Sequence, residues 1–289
     1  MHFETSQSAL GGAHKLKISR GEATTTTLAY TRYIRTGSDP SQRVVLLHGF
    51  TQNSSSFRSI ACTLALGHDF EVIAVDLPCH GGSSHVEADL EQAAEMLLVF
   101  GAESIWVGYS LGARHLLTLC LRDPENSWRA VFSGVNPGIR DEDERRLRYT
   151  SDLALSQELR ELHGNPKSFR NFLEQWTSLP LFQPRGPASE DIETRLLNYP
   201  ERLAKSIEIS SIGVQSDLWP LLERLHGNFV FITGGQDAKY LQIADSINSQ
   251  IGSNDGIRID TLIVERLGHS AIFAHPHSLV DAVVSLSDR

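Results

Sequence analysis

The chain reads as an α/β protein with a mostly parallel central sheet flanked by helices and a helical segment inserted near its middle. Three observations predict this. Six short, near-continuous apolar runs recur from residue 43 onward: RVVLL, EVIAV, SIWVG, RAVFS, NFVFIT and DTLIV. Strands buried on both faces of a parallel sheet have this composition, whereas half-exposed strands alternate apolar with polar residues. Segments with helical spacing, such as 90–100 and 111–121, lie between the runs, and alternating strand and helix builds a doubly wound sheet. The alternation stops across 137–220, a stretch rich in charge, Leu and Trp with helical patterns and no strong strand candidate.

In chain order, residues 1–13 are polar and contain Gly and Ser, and are expected to be loosely ordered. Residues 14–19 and 26–34 look like two early strands, the second rich in β-branched and aromatic residues. The six apolar runs follow, so 1–136 and 221–289 form one core and 137–220 is a helical cap. Such an insertion can cover the carboxyl ends of the strands, where open α/β sheets bind ligands. With 289 residues and 40% apolar content, one large core plus a cap is the simplest division.

The net charge of −9 argues against nucleic acid or an anionic membrane as the main partner, but not against a small anionic substrate in a basic pocket. Cys62, Cys79 and Cys120 are too few and too scattered for a disulfide framework or a structural zinc site, which fits reduced thiols in a cytoplasm. The N-terminus has neither the basic start nor the apolar centre of a signal peptide, and no apolar run reaches the roughly 18 residues of a membrane span. A soluble cytoplasmic protein is expected; no interface patch that would set its oligomeric state is readable.

The chemistry is carried first by Gly108-Tyr109-Ser110-Leu111-Gly112, which stands between the run SIWV and the helical pattern that follows. G-x-S-x-G in a strand–turn–helix context is the nucleophile elbow of the α/β-hydrolase fold. The turn is so sharp that side chains at the glycines would meet neighbouring backbone, and it lifts the serine clear of the sheet. The plain alternative is a turn serine capping the next helix. His48-Gly49-Phe50 follows RVVLL, at the place that supplies a second oxyanion donor, so the N–H groups of Phe50 and Leu111 are the expected oxyanion hole. A serine needs a base and the base an orienting acid, in the order Ser, acid, His. Asp237 after NFVFIT and His269 after DTLIV both fall at carboxyl ends of expected strands. No HExxH, paired Cys/His spacing, dinucleotide fingerprint or P-loop occurs, so no metal or organic cofactor is expected.

Beyond the elbow, LHGFTQNSSSF, VDLPCHGGSS, VGYSLGARHLL, PGIRDEDERRLRYTSD, FLEQWTSLPLF, GGQDAKY and GHSAIFAHP occur in that order. Together they resemble the 2-succinyl-6-hydroxy-2,4-cyclohexadiene-1-carboxylate synthases of menaquinone biosynthesis, from about residue 43 to the end. The resemblance implies pyruvate elimination from an enolpyruvyl cyclohexene tricarboxylate, with Ser110 as base, activated by His269 and Asp237. It implies substrate contacts from Arg114, Arg148, Arg195, Tyr109 and Trp176. Arg114 also has a physical argument: four residues after Ser110, it lies one turn along the same helix face. Arg148 has a plain alternative, since Glu144 stands four residues earlier and DEDERRLR also reads as a solvated helix face. Arg195 rests on the resemblance of TRLLNYPERLA alone, and a Trp in the setting of Trp176 is more often core.

The chain departs from the family pattern at Gln52, Phe57, Cys79 and Ile272. None of these is in the triad or among the arginines, but they bear on pocket shape. Two other readings use the same fold: a serine hydrolase of esters or carbon–carbon bonds, and a binding protein without activity. An apolar, arginine-free cap would favour the first, whereas an intact Ser-Asp-His set argues against the second.

Overall fold

The computed structural model describes residues 5–7, 15–183 and 189–288. Among the described residues nine strands form one sheet: β1 (Thr5–Gln7), β2 (Leu16–Gly21), β3 (Tyr30–Arg35), β4 (Arg43–Leu47), β5 (Glu71–Val75), β6 (Ile105–Tyr109), β7 (Trp128–Ser133), β8 (Gly227–Gly234) and β9 (Ile257–Val264). Their spatial order is β1-β2-β3-β5-β4-β6-β7-β8-β9. The strands from β4 to β9 pair in parallel, while β1, β2 and β3 form an antiparallel edge joined to β5. The helices are α1 (Arg58–Gly67), α2 (Leu90–Leu97), α3 (Leu111–Arg122), α4 (Glu142–Glu161), α5 (Pro166–Thr177), α6 (Ser189–Arg195), α7 (Pro200–Ile209), α8 (Ala238–Ile251), α9 (Ala271–Ala274) and α10 (Pro276–Ser287).

The apolar runs are central because each strand feeds two cores at once. Val45 and Leu47 of β4 join Leu97 of α2, Leu117 of α3 and Ile247 of α8 on one face. Val44 and Leu46 join Leu64 of α1 and Val283 of α10 on the other. Several helix starts are written in the sequence. Asp89 and Gln92 close a capping box on α2, Asp141 accepts the Glu144 N–H at 2.8 Å to open α4, and Pro166, Pro200 and Pro276 occupy first turns. The DEDE run is thus the start of α4, where Glu142, Asp143 and Glu144 face the positive end of the helix dipole.

Helices α4 to α7 all lie between β7 and β8. They carry an apolar cluster of their own, centred on Leu159, Phe169, Phe172, Leu173 and Leu203. The segment leaves and rejoins the sheet at one place, where Leu218 N–H donates to the Pro137 carbonyl at 2.8 Å.

Three expectations need correction. The second early strand starts later than expected, at Tyr30, because Thr24–Thr27 closes a turn through a Thr24 N–H to Thr27 O bond of 2.7 Å; the first begins at Leu16, and His14 lies outside the described residues. Within 1–13, Thr5–Gln7 pairs with β2 as a strand; the rest of that segment lies outside the described residues. DTLIV is not buried on both faces: among the described residues β9 is the sheet edge, paired with β8 alone, and Leu262 and Ile263 are exposed.

Candidate active site

The loops that leave the carboxyl ends of β4, β6, β8 and β9 meet at one cavity of about 230 Å³. Ser110, between β6 and α3, stands at φ 52° and ψ −107°, a conformation L residues rarely adopt. Its N–H donates to the Ser133 carbonyl at the end of β7, at 2.8 Å, which ties the turn to the next strand. The elbow glycines are required by contact: a Cβ at Gly112 would stand 2.2 Å from the Leu47 carbonyl oxygen, and one at Gly108 2.6 Å from the Ala113 Cα. Leu111 opens α3, so its N–H is one of the first-turn donors that the helix itself cannot satisfy. Leu111 and Phe50 both line the cavity beside Ser110.

His269, 3% exposed, follows β9, and its Nδ1 lies 2.8 Å from Oδ2 of Asp237. Asp237 is the N-cap of α8, also accepting the Tyr240 N–H at 3.4 Å, so the helix start orients the carboxylate. With Asp237 on Nδ1, Nε2 is the nitrogen left for a substrate-side proton, and it is enclosed with no hydrogen-bond partner among the described residues. Tyr240 packs on the imidazole at 4.4 Å between ring centres and Tyr109 at 5.3 Å. Gly134, at φ 66°, supports the ring from β7: a Cβ there would stand 2.3 Å from His269 Cε1. The helical insertion reaches the site as well, since the His269 N–H donates to the Leu181 carbonyl at 3.0 Å.

Arg114, Arg148, Arg195, Tyr109 and Trp176 all line this same cavity. Each arginine already has protein partners. Arg114 donates to Gln215 Oε1 at 3.0 Å and to the Ser210 carbonyl at 2.7 Å. Desolvation lowers its pKa to about 10, so it stays charged at neutral pH. Arg148 pairs with Asp152, four residues later, through Nε at 3.0 Å from both carboxylate oxygens, rather than with Glu144. Arg195, 4% exposed, pairs with Asp191 at 2.6 Å and also donates to Thr51 Oγ1. Trp176 packs edge-on against Phe50 at 5.5 Å. Tyr109, 3% exposed, has its phenol pKa raised by burial, and its hydroxyl lies 3.2 Å from Ser270 Oγ.

Sequence reading missed several neighbours. Lys239 and Tyr240, in the first turn of α8, line the cavity, as does Asp152. The signal for the first two was their place next to Asp237; for Asp152 it was the four-residue spacing from Arg148 on α4, while its second partner, Ser211, comes from a separate segment. His80, in the loop after β5, is buried edge-on to His48 at 4.9 Å and packs against Phe50 at 6.0 Å. The cavity wall thus carries four cationic side chains, Arg114, Arg148, Arg195 and Lys239, against the single carboxylate of Asp152.

Residues 44–282 match the family model described as "Alpha/beta hydrolase family". The chain belongs to that family. Among curated α/β-hydrolase relatives, 2-succinyl-6-hydroxy-2,4-cyclohexadiene-1-carboxylate synthase of Serratia proteamaculans is 28% identical over 86% of this chain and 94% of its own. The synthase of the same name from Escherichia coli O1:K1 is 25% identical, covering 84% and 92%. Among solved structures, MenH from S. aureus superposes with a TM-score of 0.74 at 22% identity, covering 90% of this chain and 97% of that one. The epoxide hydrolase CorEH superposes with a TM-score of 0.68 at 14% identity, covering 98% of each. These superpositions speak for the shared α/β-hydrolase fold.

Proposed function

We propose that this α/β-hydrolase is a 2-succinyl-6-hydroxy-2,4-cyclohexadiene-1-carboxylate synthase, a carbon–oxygen lyase of menaquinone biosynthesis. The observation that carries the reading is the cation-rich wall around Ser110 and His269 in a protein of net charge −9. A hydrolase of neutral esters has no use for such a wall. A tricarboxylate needs it, since charge-assisted hydrogen bonds to guanidinium each contribute roughly 1.5–3 kcal/mol. The curated relatives of that name, aligned along most of both chains, support the same reading.

In this reading the substrate is 2-succinyl-5-enolpyruvyl-6-hydroxy-3-cyclohexene-1-carboxylate. The Ser110 oxygen takes the ring proton at C2, next to the succinyl ketone, while His269 receives the serine proton on Nε2. Asp237, bound to Nδ1, holds the tautomer and stabilises the imidazolium. The electron pair delocalises into the ketone, and the Phe50 and Leu111 N–H groups receive the enolate oxygen. Collapse through the ring alkene breaks the C5–O bond and leaves the 2,4-diene; the leaving enolpyruvyl oxygen takes the proton held on His269 Nε2, and the enol released tautomerises to pyruvate. Arg114, Arg148 and Arg195 take the carboxylates, and Tyr109 and Trp176 bound the ring. No step requires a metal or organic cofactor.

The test is a substrate comparison with the purified protein. Saturable pyruvate release from the enolpyruvyl precursor, with little turnover of neutral aryl esters, is expected. Efficient ester hydrolysis, with pyruvate release no faster than the uncatalysed background, would instead make it a serine hydrolase.

A further inference from the structure

Asn198, between α6 and α7, is 4% exposed and ties three segments together. Its Oδ1 accepts the Gly81 N–H at 2.8 Å, from the loop after β5. Its Nδ2 donates to the Thr51 carbonyl at 2.8 Å, the Gln52 carbonyl at 3.2 Å and the Arg195 carbonyl at 3.2 Å. The first two belong to the turn after β4 that carries Phe50.

That turn is strained. Thr51 stands at φ 67°, in the left-handed region that a β-branched residue avoids, and it is fully buried. Such a conformation persists only where its surroundings over-determine it. Inside the turn, Gly49 N–H donates to Gln52 Oε1 at 3.0 Å and Gln52 N–H to the Gly49 carbonyl at 3.1 Å. From the helical insertion, Arg195 holds Thr51 Oγ1 and reaches the Phe50 carbonyl at 3.4 Å, while Asn198 holds the next two carbonyls. The side chain of Asn198 is not among those lining the catalytic cavity, so it acts on the site through this turn.

We propose that Asn198 is a positioning residue: it holds Thr51 in its strained conformation and so fixes the Phe50 amide that receives the enolate oxygen. The proposal rests on the synthase reading for the role of that amide, but the conformational claim stands apart from it. A displacement of a transition-state donor by about 1 Å costs on the order of 100-fold in rate.

The experiment compares Asn198→Ala and Asn198→Asp with the parent chain, each alone and with Thr51→Gly. The Asp variant retains the acceptor for Gly81 and replaces the donor by a carboxylate oxygen that the Thr51 and Gln52 carbonyls repel, so it covers the case in which the Ala variant does not fold. The expected result is a kcat lowered about 10- to 100-fold with KM changed less than about threefold. Glycine adopts positive φ without penalty, so the loss should shrink to under about threefold in the Thr51→Gly background. A loss of equal size in both backgrounds, an unchanged kcat, or a rise in KM alone would overturn the proposal. If the parent chain releases no pyruvate, the synthase reading fails. The crystal structure of the variant then decides the conformational claim: Thr51 relaxed to negative φ supports it, and Thr51 still near 67° overturns it.

Discussion

Ser110 and Gly134 show how single residues set this site. Gly134 leaves room for an imidazole that even a methyl group would strike, at 2.3 Å from Cε1. Gly134→Ala should therefore lower kcat at least about 10-fold, through displacement of His269 from a working geometry, with circular dichroism unchanged. Asp237→Asn keeps the shape but offers an amide where His269 Nδ1 now meets a carboxylate, and a loss of about 10²- to 10⁴-fold in kcat is expected. Arg114→Ala removes a cation whose proposed work is binding. It should raise KM about 10- to 100-fold and change kcat less, as steady-state kinetics with the precursor would show. At this scale the sequence was informative wherever a side chain follows an apolar strand run, as Ser110, Asp237 and His269 do. It was silent on Asn198, whose partners Thr51 and Gln52 lie up to 147 residues away in the chain, and it offered for Asp152 only the four-residue spacing from Arg148, with nothing to mark Ser211.

Elements were legible in proportion to how much of their pattern is local. Strands β4 to β8 are near-continuous apolar runs because helices cover both faces, and those runs stand out in any reading of the chain. The same composition misled at β9, where an apolar run lies on the sheet edge with Leu262 and Ile263 exposed. Edge position is a property of the assembled sheet and not of the segment. Thr26 and Thr27 fall within the strand expected over 26–34 by its β-branched composition, but a local turn bond outweighs that preference. In α4, DEDERRLR is the solvated helix face that its charge pattern describes, exposed at every position from 141 to 148 but Arg145. It is also the helix start, with Asp141 as the cap, and Asp141→Ala should cost about 1 kcal/mol in urea unfolding.

For the whole molecule, the charge distribution matters more than the total. A net charge of −9 surrounds a cavity whose wall is cationic, a contrast that composition could permit but not locate. The interior also stores three neutral histidines around the oxyanion side of the site. Burial lowers His48 to about 4 and His80 to about 3, and holds His115 well below its ordinary value. Unfolded, these groups take up protons near pH 6.5, while folded they remain neutral, so acid favours the unfolded chain. Their contribution is fully present above pH 6.5 and declines as pH falls towards 4; at pH 5 the loss is about 2 kcal/mol for each of His48 and His80. Urea titrations at pH 7 and pH 5 should show that decline, and His48 is singly committed to it because Nδ1 donates to Gly49 O while Nε2 accepts from Leu77 N. The central claim is that Ser110, within this cationic cavity, takes a substrate proton and is not acylated. The most direct measurement follows pyruvate release by the parent chain and Ser110→Ala, with intact-protein mass recorded after rapid quenching during turnover. Saturable release is expected, lost at least about 10³-fold in the variant, with no mass added to the parent chain. Release that survives Ser110→Ala, or an adduct on Ser110 that forms and decays during turnover, would contradict it.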